Sequence, residues 1–211
     1  PERATLLLAG AMPSPDPVKT LERLEQLVAG GGRLVILFRS DTPEWRIAGP
    51  RPADDNDEES DEDEKEEEES ARDDMLEALN PMQEISERWG FRYQFRRTLD
   101  AQGEARLGRP WRDSVPALPG TITWHSGMVF TDLAPEWTEV FNRESFPVVV
   151  ERPWGEGSIV LATDNFSVTN EAMRHDRTPG YVSWLIGEDR PLVLDETQLG
   201  GAKRQGALAI S

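Results

Sequence analysis

Two short polar clusters carry the side chains best suited to chemistry. Asp164-Asn165-Phe166-Ser167, extended by Asn170, follows directly on the apolar run Ser158–Thr163. Asp195-Glu196-Thr197-Gln198 follows directly on Pro191–Leu194. In open α/β sheets, ligands collect beyond the carboxyl ends of the strands. If these two strands are parallel neighbours, Asp164, Asn165, Asn170, Asp195, Glu196 and Gln198 converge on one rim as a ligand-binding set. Paired carboxylates there would exchange a proton or hold a hard cation through oxygen. The same residue types are also the ordinary caps and turn formers of strand-to-helix joints, so ligand binding and loop order both stand at this point. Asp195-Glu196 is the stronger pair, because a double acid at a strand end needs a stabilising partner.

Other chemistry has little support. The two histidines, His125 and His175, lack a partner at metal-ligand spacing. Ser126 lies in His125-Ser126-Gly127-Met128, without the leading glycine of a nucleophile elbow. Gly30-Gly31-Gly32 precedes a strand, whereas a phosphate cradle needs its glycines between a strand and a helix N-terminus; a helix stop is the simpler reading. The chain has no cysteine, which removes disulfides, thiolate metal sites and a thiol nucleophile together. No catalytic residue, metal site or cofactor is assigned from the residues. An enzyme reading survives as a hydrolase using Asp164, Asp195 and Glu196.

The elements that must position these residues are legible from periodicity. Ala4–Ala9 is a short apolar run that predicts a buried strand. Val18, Leu21, Leu24, Leu27 and Val28 repeat at helical spacing, with Asp16 as N-cap, Pro17 in the first turn and Gly30–Gly32 as the stop. Arg33–Phe38 is a second buried strand, and strand, helix, strand with short joints predicts a parallel pair. A helix is expected from about Asp73 to Trp89, kinked or divided at Pro81, then a half-exposed strand at Phe91–Arg96. Residues 100–120, rich in Gly, Pro and Arg, are expected to loop out. Thr121–Val129 reads as one strand, and Phe146–Glu151 and Ser158–Thr163 as a hairpin about Arg152–Gly157. Short helices are expected at Thr169–His175 and Gly180–Ile186, then a last strand at Pro191–Leu194. The whole reads as a single α/β sandwich whose mixed sheet is mostly parallel.

Charge divides the chain unevenly. Its formal net charge is −17, from 23 basic and 40 acidic residues. Thirteen of the sixteen residues from Asp54 to Glu69 are acidic and only Lys65 opposes them, so the remainder carries 22 basic against 27 acidic residues. The domain is nearly balanced and is interrupted by an acidic low-complexity insert over 53–72, expected to be disordered and solvated. The insert lacks the glycine and spaced ligands of a calcium loop, and a polyanion without a basic stripe is repelled by nucleic acid. Recruitment of a basic partner by the insert is a further reading. The chain opens on Pro1 with a strand at once, which leads us to expect a piece of a longer protein. No apolar stretch approaches the ~20 residues needed to cross a bilayer, and no signal peptide is visible.

In this order, Gly30-Gly-Gly-Arg-Leu-Val-Ile-Leu37, Trp154-Gly-Glu-Gly-Ser-Ile-Val-Leu161, Asp164-Asn-Phe-Ser-Val-Thr-Asn170 and Leu194-Asp-Glu-Thr-Gln-Leu-Gly200 resemble the bacterial domain of unknown function 4350. That family is itself similar to accessory proteins of gliding-motility ABC transporters. The resemblance covers most of the chain, apart from the acidic insert and the loop near residue 110. It implies a flavodoxin-like fold, similar to class I glutamine amidotransferases. It also implies a membrane-anchored parent with a transmembrane helix on each side of the domain, an extracytoplasmic location, and membrane-protein partners in transport or assembly. The chain departs from the family pattern where Gln198 replaces the histidine of the closing motif and where Asp176-Arg177 replaces an Asp-Asn pair. Without a cysteine, the amidotransferase thiol mechanism is impossible here. The expectation is a non-catalytic ligand- or partner-binding domain.

Overall fold

The computed structural model describes residues 3–10, 17–38, 85–96, 99–100, 102–108, 118–187 and 190–195. The acidic insert and most of the helix expected before Trp89 lie outside them; residues 85–89 are helical.

Four strands, β1 (Thr5–Ala9), β2 (Arg33–Leu37), β9 (Gly157–Ala162) and β10 (Leu192–Asp195), run parallel in the spatial order β10-β1-β2-β9. Helix α1 (Pro17–Ala29) covers one face of this half, packing Leu21, Leu24 and Val28 on Leu34, Ile36, Ile159 and Leu161. Two helices follow β9, α2 (Asn170–His175) and α3 (Pro179–Ile186). Tyr181 and Leu185 of α3 cover the opposite face with Leu7, Val35, Val160 and Ala162. Cover on both faces explains why β2 is apolar after its first residue and buried throughout.

At β9 the direction changes. β8 (Phe146–Trp154), β7 (Thr138–Arg143), β4 (Gly103–Leu107) and β5 (Thr121–Trp124) continue the same sheet, each antiparallel to its neighbour. β3 (Arg92–Phe95) and β6 (Met128–Thr131) form a separate antiparallel ribbon. Beside it, Phe91, Phe130 and Trp137 meet edge to face, with ring centroids 5.6 and 6.0 Å from Phe91.

The expected flavodoxin-like or glutamine amidotransferase-like sandwich, with a mostly parallel sheet, is therefore corrected. Among the described residues five strand pairings are antiparallel and three parallel. The reason lies in the strands that periodicity hid. β4 forms inside the segment expected to loop out. β7 went unread. The single strand expected over Thr121–Val129 is two strands in different sheets, β5 and β6, broken at His125-Ser126-Gly127. The β7–β8 and β8–β9 joints are two residues long, too short for the crossover that a parallel pair needs. Among the described residues, no helix is long and apolar enough to cross a membrane.

Two devices fix the parallel half. The α1 stop closes through Gly31, at φ +99°, and Gly32, whose N–H donates to Leu27 O at 3.0 Å. The two-residue turn Gly155-Glu156 of the β8–β9 hairpin packs on this stop, so that a Cβ at Gly157 would stand 2.0 Å from Gly32 O and 2.4 Å from Val28 O. At the same end of the sheet, on its opposite face, the buried Arg33 guanidinium pairs with Glu151 and donates from Nε to Leu185 O at 3.0 Å and from Nη2 to Trp184 O at 3.3 Å. It thereby satisfies carbonyls of the last turn of α3, which a helix leaves without partners, and places a cation at the negative end of the helix dipole.

Candidate functional site

Asp164 follows β9 and is 3% exposed. Its Oδ1 accepts a hydrogen bond from Phe166 N–H at 2.6 Å, and its Oδ2 accepts one from His125 N–H. The imidazole Nδ1 of His125 stands 3.8 Å from the same Oδ2, and the His125 ring lies over Phe166 with centroids 3.7 Å apart. Burial pushes the Asp164 carboxyl up from the usual aspartate value, partly offset by the two backbone N–H bonds and by the neighbouring His125 and Arg143 side chains. The side chain thus fastens the turn after its own strand and pins the β5–β6 connection to the sheet. Both oxygens are engaged in structure.

The surrounding residues reinforce that reading. Trp124 Nε1 donates to Thr163 Oγ1 at 3.1 Å. Ser126 is fully buried and its Oγ accepts from Met128 N–H at 3.1 Å, so it is shielded from any substrate. Arg143, also buried, donates from Nη1 to Ser126 O at 2.6 Å and from Nη2 to Asp100 O at 3.1 Å. Tyr181 is fully buried, and its hydroxyl has no hydrogen-bond partner among the described residues. Burial, then the charge of Asp164, holds that hydroxyl protonated well above the usual tyrosine range. An aspartate, a histidine and a serine are neighbours here, yet the serine is committed elsewhere and no nucleophile–base pair forms.

The other expected site residues do not gather around Asp164. Asn165 opens the 3-10 turn Phe166–Val168, its carbonyl accepting from Val168 N–H at 3.2 Å. Asn170 is exposed at the start of α2, where the cap is Thr169, whose Oγ1 accepts from Ala172 N–H at 3.3 Å. Asp195 closes β10, paired with Leu8. The strands carrying the two acids are not the expected neighbours, because β1 and β2 lie between β10 and β9. Three strand spacings separate them, roughly 14 Å. Through Leu8, Ile36 and Leu161, Asp195 is also level with a residue three positions short of Asp164. The two backbone positions are too far apart for their carboxylates to share a proton or a cation. Glu196 and Gln198 lie outside the described residues. Among the described residues, no group of three His, Asp or Glu side chains is placed to hold a metal ion.

Sequence reasoning passed over the most unusual surface. Leu192, Val193 and Leu194 are 43, 50 and 44% exposed. Successive strand residues face opposite sides, so β10 is apolar and open on both faces. It is also the terminal strand, with no neighbour on its outer side among the described residues. Pro191 O accepts from Thr5 N–H at 2.8 Å and so faces β1; by alternation Leu192 and Leu194 turn their N–H and C=O groups outward. The opposite terminal strand, β5, is built differently, with Ile122 and Trp124 buried and Thr121 exposed. Arg190, just before β10, donates from Nη1 to Gly31 O at 2.9 Å and ties the strand's entry to the α1–β2 turn.

No family model and no curated protein matches the chain. Among solved structures, a β-galactosidase from Bacillus circulans sp. alkalophilus is similar at 16% identity and a TM-score of 0.40, over 75% of this chain and 20% of that one. The chain spans about a fifth of that protein's length. A likeness at this level carries no argument about activity.

Proposed function

We propose that this chain is a non-catalytic partner-binding domain that docks through the outer edge of β10. The observation that carries the reading is the exposure of Leu192, Val193 and Leu194 on a strand that is terminal among the described residues and turns backbone groups outward. Monomeric proteins blunt such an edge with charge, proline or a bulge, because it is a template for another strand. The rim acids give the hydrolase reading no comparable support, since both Asp164 oxygens hold backbone N–H groups and Asp195 stands on a distant strand. A parent anchored in the membrane, serving transport or assembly with this domain outside the cytoplasm, rests on the family resemblance alone and forms part of the proposal.

The test places a photo-crosslinking side chain at Val193 of the full-length protein in its own cells. A discrete adduct is expected, lost when Leu194→Pro removes one outward N–H. No adduct, or one indifferent to Leu194→Pro, would sink the docking reading. Turnover of an amide, ester or glycoside that disappears in a folded Asp164→Asn protein would restore the enzyme. Cell fractionation and protease protection of the intact parent test the anchoring.

A further inference from the structure

We infer that His125 and Asp164 share one proton as a pH-sensitive latch. It fastens the β5–β6 connection to the end of β9 while the proton is held, and frees that connection when the proton is lost. The inference is independent of docking at β10.

The latch lies where two parts of the fold meet. His125 opens the joint between β5, in the large sheet, and β6, in the ribbon. Asp164 follows β9, 39 positions away in sequence. The His125 backbone N–H donates to Asp164 Oδ2. The imidazole Nδ1 stands 3.8 Å from the same oxygen and is buried, with no hydrogen-bond partner among the described residues. That gap is about 1 Å beyond hydrogen-bond contact. The ring is stacked on Phe166, with centroids 3.7 Å apart, so it closes the gap by sliding in its own plane.

Proton accounting sets the sign. Both Asp164 oxygens already accept backbone N–H groups. A proton on Oδ2 then donates to Nδ1, and a proton on Nδ1 donates to the ionised Oδ2. These are one state of the pair, with a single proton and no net charge, which a buried site tolerates. Loss of the proton leaves a buried carboxylate facing a nitrogen lone pair, with no donor between them. The latch is therefore closed at the lower pH and opens as pH rises.

The surrounding groups do not replace that proton. Arg143 of β7 favours the carboxylate, but its guanidinium donates to Ser126 O and Asp100 O, and Asp100 and Glu144 act on it in turn. Tyr181 of α3 keeps its own proton, held by burial and by the charge of Asp164. Burial outweighs Arg143 and the backbone donors at the Asp164 carboxyl and favours its protonated form.

The experiment follows amide hydrogen exchange of the full chain by NMR, from about pH 5 to about pH 9, with each rate divided by its intrinsic value. Protection of the His125 amide is expected to fall by about tenfold or more as pH rises, while Val35 in β2 holds its protection. The His125 ring signals should move over the same pH range as its amide. His125→Phe keeps a ring on Phe166 without the nitrogen, and Asp164→Asn keeps an acceptor that does not titrate. Each should flatten the step at residue 125. A native protein with no step overturns the inference, and so does a step shared by Val35, which would be global unfolding. A step that persists in folded His125→Phe assigns the titration to Asp164 alone and overturns proton sharing. If neither variant folds, the native protein decides, since ring and amide signals that move at different pH values also overturn it.

Discussion

Asp164 shows how a residue type that announces chemistry can serve architecture. Its carboxylate is buried, yet it is the acceptor that holds two loops at the end of β9. Because burial raises its folded pKa above the unfolded value, its contribution to stability is complete below the ordinary aspartate value and is lost as pH rises through the raised one. Asp164→Asn cannot titrate, and its amide offers one acceptor oxygen to two backbone donors. The variant is expected to be less stable by about 1–3 kcal/mol at the acidic end, with the gap narrowing as pH climbs through the folded pKa of the native residue. Urea denaturation at a series of pH values from about 4 to about 8 reads this directly. A gap that widens with pH would show that the ionised form, not the neutral one, is favoured by the fold. The residue was visible in the sequence as a candidate, but its role was not. The partner amide belongs to His125, 39 positions earlier, and a backbone N–H leaves no trace in residue type.

Elements with a strong local period were the legible ones. β1, α1, β2, the β8–β9 hairpin and the helices after β9 all form within a few residues of where apolar spacing and glycine punctuation place them. The hairpin depends on a close approach that gives a sharp test. Gly157→Ala drives a methyl into the Gly32 and Val28 carbonyls, backbone atoms that cannot swing aside, whereas a Cβ at Gly120 meets nothing within 4 Å. The first change should cost on the order of 2–4 kcal/mol and the second far less, measured as urea midpoints side by side. Equal midpoints would mean that the hairpin does not pack on the α1 stop. What escaped was of two kinds. β4 and β7 are short, half-buried and rich in charge, so their period of two is weak evidence against a loop. β10 was read correctly as apolar, but a run such as Pro191–Leu194 looks the same whether it lies in a core or at a bare edge. Exposure belongs to the neighbours, and the neighbours come from topology.

For the whole molecule, the acidic insert and the folded part are separable problems. The insert lies between β2 and β3 in sequence, on a connection whose ends are set by folded strands. The entropy of closing such a loop grows only with the logarithm of its length, so deleting residues 53–70 should shift folding stability by no more than about 0.5 kcal/mol. The same deletion should raise the net charge from −17 by the 13 acids less one lysine removed, to −5. Thermal denaturation and an electrophoretic mobility shift read the two outcomes. A large fall in melting temperature would mean that the insert packs on the domain. Loss of a basic partner in a pull-down with this deletion, and not with Leu194→Pro, would move recruitment from β10 to the insert.

β9 is hydrogen-bonded to a parallel neighbour on one side and an antiparallel one on the other. The chain therefore has no natural seam at which to cut it. Severing the helix-covered half would strip β9 of its hairpin mate, and keeping the hairpin would strand Ile159 and Leu161 without α1 above them. A graft of this domain into another protein must carry both halves or neither.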